Sequence, residues 1–284
     1  MEKKQYGKTV LFAEKGILRE TTTPRSYVRY VHTEHDGDIL LMDGEVQLST
    51  LDEYWYHEML VHPVMNSLPA YHKLDILIVG GGDGCAAREV FKWMNVSTVT
   101  VVDYDKTFVE EFGKGVLSGL NRHSLTRENC TYVSADIRSF MQENTSKYDA
   151  IIVDLPDPED TFVSLYIDVI LGSKHMLKKG GAISMHVGPA MLDPQHPNWA
   201  TIADFKHTLL HTFTGREVTV DVGTVYVPSF SNLWAFLWMR PTDWSVCTRA
   251  SELVSSKCRY WKPNVTDRLD QDIAAIVRLD QQAL

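Results

Sequence analysis

From Lys73 onward one unit recurs, and it leaves few folds open: a continuous apolar run ending in glycine or an acid, then a helical segment. "LDILIVGGG" is the first such run, followed by "VSTVTVVDYD", "CTYVSAD", "YDAIIVD" and "AISMHV". Apolar runs without alternation suit strands covered on both faces, as in parallel sheets. Between them, "AAREVFKWM" reads as a helix, and "YIDVILGSKHMLKKGG" as a helix closed by glycine. The alternation predicts an α/β fold: a Rossmann-like, methyltransferase-type, mostly parallel sheet with helices on both faces. Ahead of it, "SYVRYVHTE" alternates and "GDILLMDGEVQL" carries an Asp43-Gly44 turn, the mark of a hairpin. "DEYWYHEMLVHPVM" reads as a helix with Asp52 as its cap. The chain thus divides into a small N-terminal β-strand domain, residues 1–51, and a Rossmann-like domain, residues 52–284. At 284 residues and 44% hydrophobic, it has enough apolar material for both.

"VGGGDGCAARE" sets Gly80, Gly82 and Gly84 between a strand and a helix, where glycine lets backbone approach a ligand closely. The other reading is a tight turn with no ligand. Three strands are expected to end in acids, Asp103, Asp136 and Asp154, and in open α/β sheets ligands sit beyond the carboxyl ends of the strands. Asp103 follows the loop by about twenty residues, where an acid accepts ribose hydroxyls. Asp83 inside the loop would repel a pyrophosphate at the helix N-terminus. A phosphate-free, positively charged nucleoside fits better: S-adenosylmethionine or its decarboxylated relative. Asp136 is then expected to accept from the adenine amino group, or else to cap a helix.

In "IIVDLPDPED", Asp154 and Asp157 flank Leu155 and Pro156. Proline fixes one dihedral and biases Leu155 towards an extended shape, stiffening the loop. Alternatively, the two acids only shape a turn. The ordered set DG-x-x-Q, D-E-x-x-Y-H-E-M, G-G-G-D-G and D-x-x-D-P resembles the polyamine aminopropyltransferases, the spermidine synthase family, from about residue 38 to 190. The resemblance implies aminopropyl transfer from decarboxylated S-adenosylmethionine, a co-substrate and not a resident cofactor, to a polyamine, putrescine first, with methylthioadenosine leaving. It makes Asp154 the general base and Asp157 a second polyamine-binding acid; Leu155 between them is itself expected to offer an apolar wall for the methylene chain. Tyr56, His57 and Phe230 become substrate-pocket residues; Gln47, Gly80, Gly82, Asp83, Asp103, Asp136 and Ile137 become cofactor-side residues. Among the departures from the pattern, Leu155-Pro156 replace small hydroxyl residues, Thr161 a proline, Phe230 a tyrosine, His186 a glutamine, and Asp103 a glutamate.

The net charge of −9 disfavours a nucleic-acid partner and suits cationic ligands. Four cysteines without CxxC spacing point to reduced thiols and a cytoplasmic home, and the histidines show no metal pattern. No apolar run reaches the roughly 20 residues of a membrane span, and the first residues do not read as a signal peptide. The family resemblance implies a homodimer or homotetramer. Two rivals stand beside this reading. A methyltransferase on the same fold leaves Asp157 and the "DEYWYHE" helix without a task; a non-catalytic regulatory homologue leaves Asp154 without one.

Overall fold

The computed structural model describes residues 2–5, 8–158, 160–193, 195–242 and 248–263. At its N-terminal end β1 (Glu2–Gln5) and β2 (Lys8–Leu11) form a separate ribbon. Next, β3 (Glu14–Thr22), β4 (Tyr27–Thr33), β5 (Asp38–Met42) and β6 (Glu45–Ser49) make an antiparallel sheet in that order. The hairpin sits where the Asp43-Gly44 pair predicts it. Asp43 has φ 51° and Gly44 φ 83°. A two-residue turn matched to strand twist requires such positive values at both positions. The Asp43 carboxylate then accepts the Tyr27 N–H at 2.8 Å, tying the turn to β4.

Helix α1 (Glu53–Met65) departs from a one-sided pattern: Glu53 and every residue from Tyr56 to Met65 are buried. It is packed between neighbours on all sides, so its charged residues must find partners inside the protein. Asp52 does not cap it. The Asp52 carboxylate instead accepts from Ser229 N and Oγ, at 2.6 and 2.9 Å. That pairing with a distant turn outcompetes the local cap and fastens the helix start.

The repeat from residue 74 runs β7 (Leu74–Gly80), α2 (Cys85–Val90), β8 (Val96–Asp103), α3 (Lys106–Phe108), β9 (Cys130–Ser134), α4 (Ile137–Glu143), β10 (Tyr148–Asp154), α5 (Asp160–Met176), β11 (Leu177–Pro189), α6 (Pro197–Thr212), β12 (Val218–Val227), β13 (Asn232–Pro241) and α7 (Thr248–Ser255). Seven strands form one sheet in the order β12-β13-β11-β10-β7-β8-β9; β9 to β11 are parallel, while β13 lies antiparallel to β11 and β12. This is the methyltransferase-type, Rossmann-like sheet that the alternation predicts. Its apolar runs are explained by two cores. Ile76, Ile78, Ala150 and Ile152 join one hydrophobic cluster, and Leu77, Val79, Ile151 and Val153 the other, by the two-residue period of a strand. The first cluster also takes in Val31, Leu40 and Leu48 of the N-terminal sheet, with Met59 of α1.

Three expectations about the elements need correction. Helix α2 is only six residues long and ends at Val90, in turns closed by Glu89 and Val90 carbonyls. Helix α5 ends at Met176, and Leu177–Gly181 belongs to β11, whose pairing with β10 jumps from Leu177 opposite Tyr148 to Ala182 opposite Ala150. Asp136 lies two residues past Ser134, off the strand, because its carboxylate accepts Arg138 N at 2.8 Å and caps α4. Cys85, Cys130 and Cys258 carry free thiols, while Cys247 lies outside the described residues. Among the described residues no helix is long and apolar enough to cross a membrane.

Candidate active site

Strands β7 and β10 are parallel neighbours whose chains depart in opposite directions, β7 towards β8 and β10 towards β11. The crevice at such a divergence is where doubly wound sheets bind ligands. Gly80 faces Asp154 across it, and Gly81 N donates to the Asp154 carbonyl at 3.1 Å. Gly80 has φ +80°, and a Cβ there would lie 2.0 Å from the Asp154 carbonyl oxygen. Only glycine lets the loop close onto β10. Gly82 N donates to Asp103 Oδ2 at 3.1 Å, and a Cβ at Gly82 would meet that oxygen at 2.6 Å. The other Asp103 oxygen accepts Asp105 N at 2.9 Å. Burial, reinforced by the charges of Asp105 and Asp83, pushes the Asp103 carboxyl up to about 6.

Helix α1 delivers the next layer. Tyr56 Oη donates to Asp154 Oδ1 at 2.8 Å. Asp154 Oδ2 is buried and meets no hydrogen-bond donor among the described residues. Burial and then the neighbouring Asp83 charge raise the Asp154 pKa above the usual carboxylate range. One turn of α1 places His57 beside Glu53, as a spacing of four does. His57 Nδ1 lies 2.8 Å from both the Glu53 carbonyl and its Oε2. His57 Nε2 lies 3.8 Å from Asp83 Oδ2. Burial works against the imidazolium, but Asp83 and Glu53 outweigh it and raise the His57 pKa well above its ordinary value. The same contact, against burial, holds Asp83 below the usual carboxylate range. Ligating-type atoms of His57, Asp83 and Asp154 all lie within 4.8 Å of one another. Two acids of different proton affinity thus meet one imidazole at a sheet rim, an arrangement suited to holding ammonium groups and taking a proton from one.

Beyond Asp154, the loop is pinned from below. The Leu155 carbonyl accepts from His186 Nε2–H and, at 3.4 Å, from Tyr166 Oη; Tyr166 Oη also reaches the Pro156 carbonyl at 3.2 Å. Asp157 Oδ1 is 4.0 Å from His186 Nδ1, and its carboxylate is partly exposed. So His186, a departure from the family pattern, fixes the backbone between the two acids and faces the second. The Leu155 side chain is buried in the second cluster, close to Gly80, and is no open wall. Phe230 packs edge-on against Tyr56, ring centroids 6.1 Å apart, supporting its apolar face.

The remaining cofactor-side residues are more scattered. Asp136 shares the Asp103 rim, since Ser134 pairs with Asp103 two residues earlier, while Ile137 is buried in the second cluster. Gln47 stands exposed on β6 and donates to the Glu45 carbonyl at 3.3 Å. Sequence reasoning missed Glu53 and Arg88. Arg88 Nη1 and Nη2 each donate to a Glu53 oxygen at 2.8 Å. The Glu53–His57 spacing of four was the available signal; the Arg88 partnership, between two elements, left none.

A model of the spermine/spermidine synthase domain matches residues 53–248. Among curated proteins, the chain is 31% identical over 252 residues to a polyamine aminopropyltransferase of Saccharolobus islandicus, spanning 86% of this chain and 80% of that one. It is 29% identical over 254 residues to one of Sulfurisphaera tokodaii, with the same coverage. Among solved structures, a spermidine synthase in complex with the transition-state analogue AdoDATO superposes with a TM-score of 0.82 at 17% identity, covering 96% of this chain and 92% of that one. The spermidine synthase of Thermotoga maritima superposes with a TM-score of 0.80 at 18% identity, covering 96% and 91%. The structural likeness speaks for the fold and the family match for descent: the chain belongs to the spermine/spermidine synthase family.

Proposed function

We propose that the protein transfers the aminopropyl group of decarboxylated S-adenosylmethionine to a small polyamine, putrescine first, giving spermidine and methylthioadenosine. The observation that carries this reading is the buried Asp154 Oδ2, unpartnered among the described residues and set between Tyr56 and Asp83 at the crevice. A carboxylate with raised proton affinity, short of one donor, is suited to receive an ammonium and take its proton. The freed amine then attacks the methylene beside the sulfonium. The carbon–nitrogen bond forms as the carbon–sulfur bond breaks, its electron pair staying on sulfur, and the proton passes from Asp154 to solvent. In this reading Asp157 anchors the acceptor's distal ammonium, Asp83 the donor's amine, and Asp103 and Asp136 the nucleoside. Holding the two partners in line supplies much of the rate. The polyamine aminopropyltransferases similar to this chain, and the AdoDATO complex of a spermidine synthase with its fold, support the choice of donor and reaction.

The same reading makes the protein a cytoplasmic homodimer or homotetramer acting on small molecules, with no nucleic-acid or membrane partner. The net charge of −9 and the three free thiols agree with it. The test is product analysis with each donor. Methylthioadenosine and a lengthened polyamine are expected from decarboxylated S-adenosylmethionine, and Asp154→Asn is expected to lower turnover by roughly 10²–10⁴-fold while methylthioadenosine still binds. A methylated product from intact S-adenosylmethionine, without methylthioadenosine, refutes the reaction; normal turnover in the variant refutes the base.

A further inference from the structure

His57 is 2% exposed, and both ring nitrogens face acceptors. Nδ1 meets a carbonyl and a carboxylate oxygen of Glu53, each at 2.8 Å. Neither oxygen can donate, so Nδ1 carries a proton. Nε2 lies 3.8 Å from Asp83 Oδ2. Left unprotonated, it would turn its lone pair towards that carboxylate. Glu53 cannot swing aside. Arg88 grips both of its oxygens and is itself held by Glu89 Oε1 at 2.8 Å and the Leu120 carbonyl at 3.1 Å. The other titratable groups around the ring are Tyr56 on α1, Asp83 in the glycine loop, Cys85 and Arg88 on α2, and Asp154 on β10. Arg88 is the cation of that set, and it is already engaged by Glu53 and Glu89.

We propose that Glu53, clamped by Arg88, is a positioning residue that keeps His57 doubly protonated as a resident counter-cation for Asp83, and that the Nε2 proton leaves when the ammonium of a cationic co-substrate takes its place. This rests on the reading of Asp83 as the acid for the donor's amine. One positive charge arrives at the cluster and one leaves with the proton, while the neutral ring keeps its Nδ1–H on Glu53. Asp83, half-buried and accepting Cys85 N at 2.6 Å, is then never without a cation beside it and never has to share two. Because a proton is released, affinity for the cationic co-substrate rises with pH, by up to about tenfold per unit below the pKa of His57 in the empty site.

Histidine nitrogen NMR of the ligand-free protein, with His57 assigned from His57→Gln, tests the first half. At about pH 7.5 the wild-type ring is expected to be doubly protonated and the Glu53→Gln ring neutral. A neutral wild-type ring, or a doubly protonated one in Glu53→Gln, overturns the proposal. Calorimetric titration in buffers of different ionisation enthalpy tests the second half. Decarboxylated S-adenosylmethionine is expected to release about one proton from the wild type and almost none from Glu53→Gln. Methylthioadenosine, which has no ammonium, is expected to release none from either and reports an intact site. A purely structural Glu53 would weaken both ligands alike with the proton count unchanged, which overturns the proposal, as does wild-type binding without proton release. The wild-type measurements decide the matter by themselves should Glu53→Gln fail to fold. If decarboxylated S-adenosylmethionine does not bind at all, the reaction assigned above falls, and the NMR result still decides the state of His57.

Discussion

Tyr56 and Asp154 share one hydrogen bond of 2.8 Å in a half-buried site, so its loss should be felt in both energy and pH response. Tyr56→Phe leaves Asp154 Oδ1 without its donor, a loss of about 1–3 kcal/mol for a charged acceptor. Since that bond opposes the burial that raises the Asp154 pKa, its removal is expected to raise it further. Turnover needs the carboxylate and therefore increases with pH through this pKa; the acid limb of the rate profile should move to higher pH in the variant. Asp103 gives a second test. Its folded pKa of about 6 lies above the ordinary carboxylate value. Its favourable contribution to stability is therefore complete below the unfolded pKa and is lost as pH rises through the folded one. The melting temperature of Asp103→Asn relative to the wild type should therefore rise from about pH 4 to about pH 8, while the variant binds methylthioadenosine more weakly. Asp83, Asp103 and Asp154 were legible in the sequence because a strand end and a glycine loop announce where they stand. Arg88 and the pinning role of His186 were not, because each acts through a partner that chain spacing does not reveal; Glu53 offered only its spacing of four from His57.

At the scale of the element, α1 is a helix whose importance comes from being enclosed along nearly its whole length, with Tyr54 and Trp55 partly exposed. Glu53 and His57 serve the crevice, while Glu58 serves the far side, accepting Arg259 N, Tyr260 N and Trp261 N at 2.8, 2.8 and 2.7 Å and Lys92 Nζ at 3.3 Å. Further along, His62 Nε2 and Lys92 Nζ meet Glu89 Oε2 at 2.8 and 2.5 Å. The helix thus joins the segment at residues 258–261 to the residues around Asp154. Glu58→Ala leaves three backbone N–H groups unanswered and the buried Lys92 ammonium with Glu89 as its remaining carboxylate, and should destabilise the fold by about 3–5 kcal/mol, read from urea unfolding. Unchanged stability would mean that this clasp is redundant. Interleaved acids in a helical segment usually mark a wet face. Here they mark internal ion pairs.

For the whole molecule, the sheet order sets where chemistry can happen: the divergence between β7 and β10 opens the crevice, and the glycine loop brings Asp83, Asp103 and Asp154 around it. A nucleoside bound there should stabilise the native state. At one hundred times its dissociation constant, methylthioadenosine should add about 2.7 kcal/mol, seen as a rise in melting temperature that Asp103→Asn reduces. On the N-terminal sheet, β3 exposes Ile17 at 49% and Leu18 at 50%. A homodimer or homotetramer would cover that apolar surface. Light scattering should find that assembly in the wild type and a smaller one in Ile17→Glu/Leu18→Glu. The amino-acid order alone determined the sheet, its glycine loop and the acids at its rim, because apolar runs, turn residues and strand ends are local patterns that burial reads directly. The charge state of His57, the clamp of Arg88 on Glu53, the pinning of Leu155 by His186 and the role of Asp52 were decided only by tertiary structure. Each depends on groups far apart along the chain being brought together out of water, where an ion or a hydrogen-bonding group must take whatever partner the packing offers.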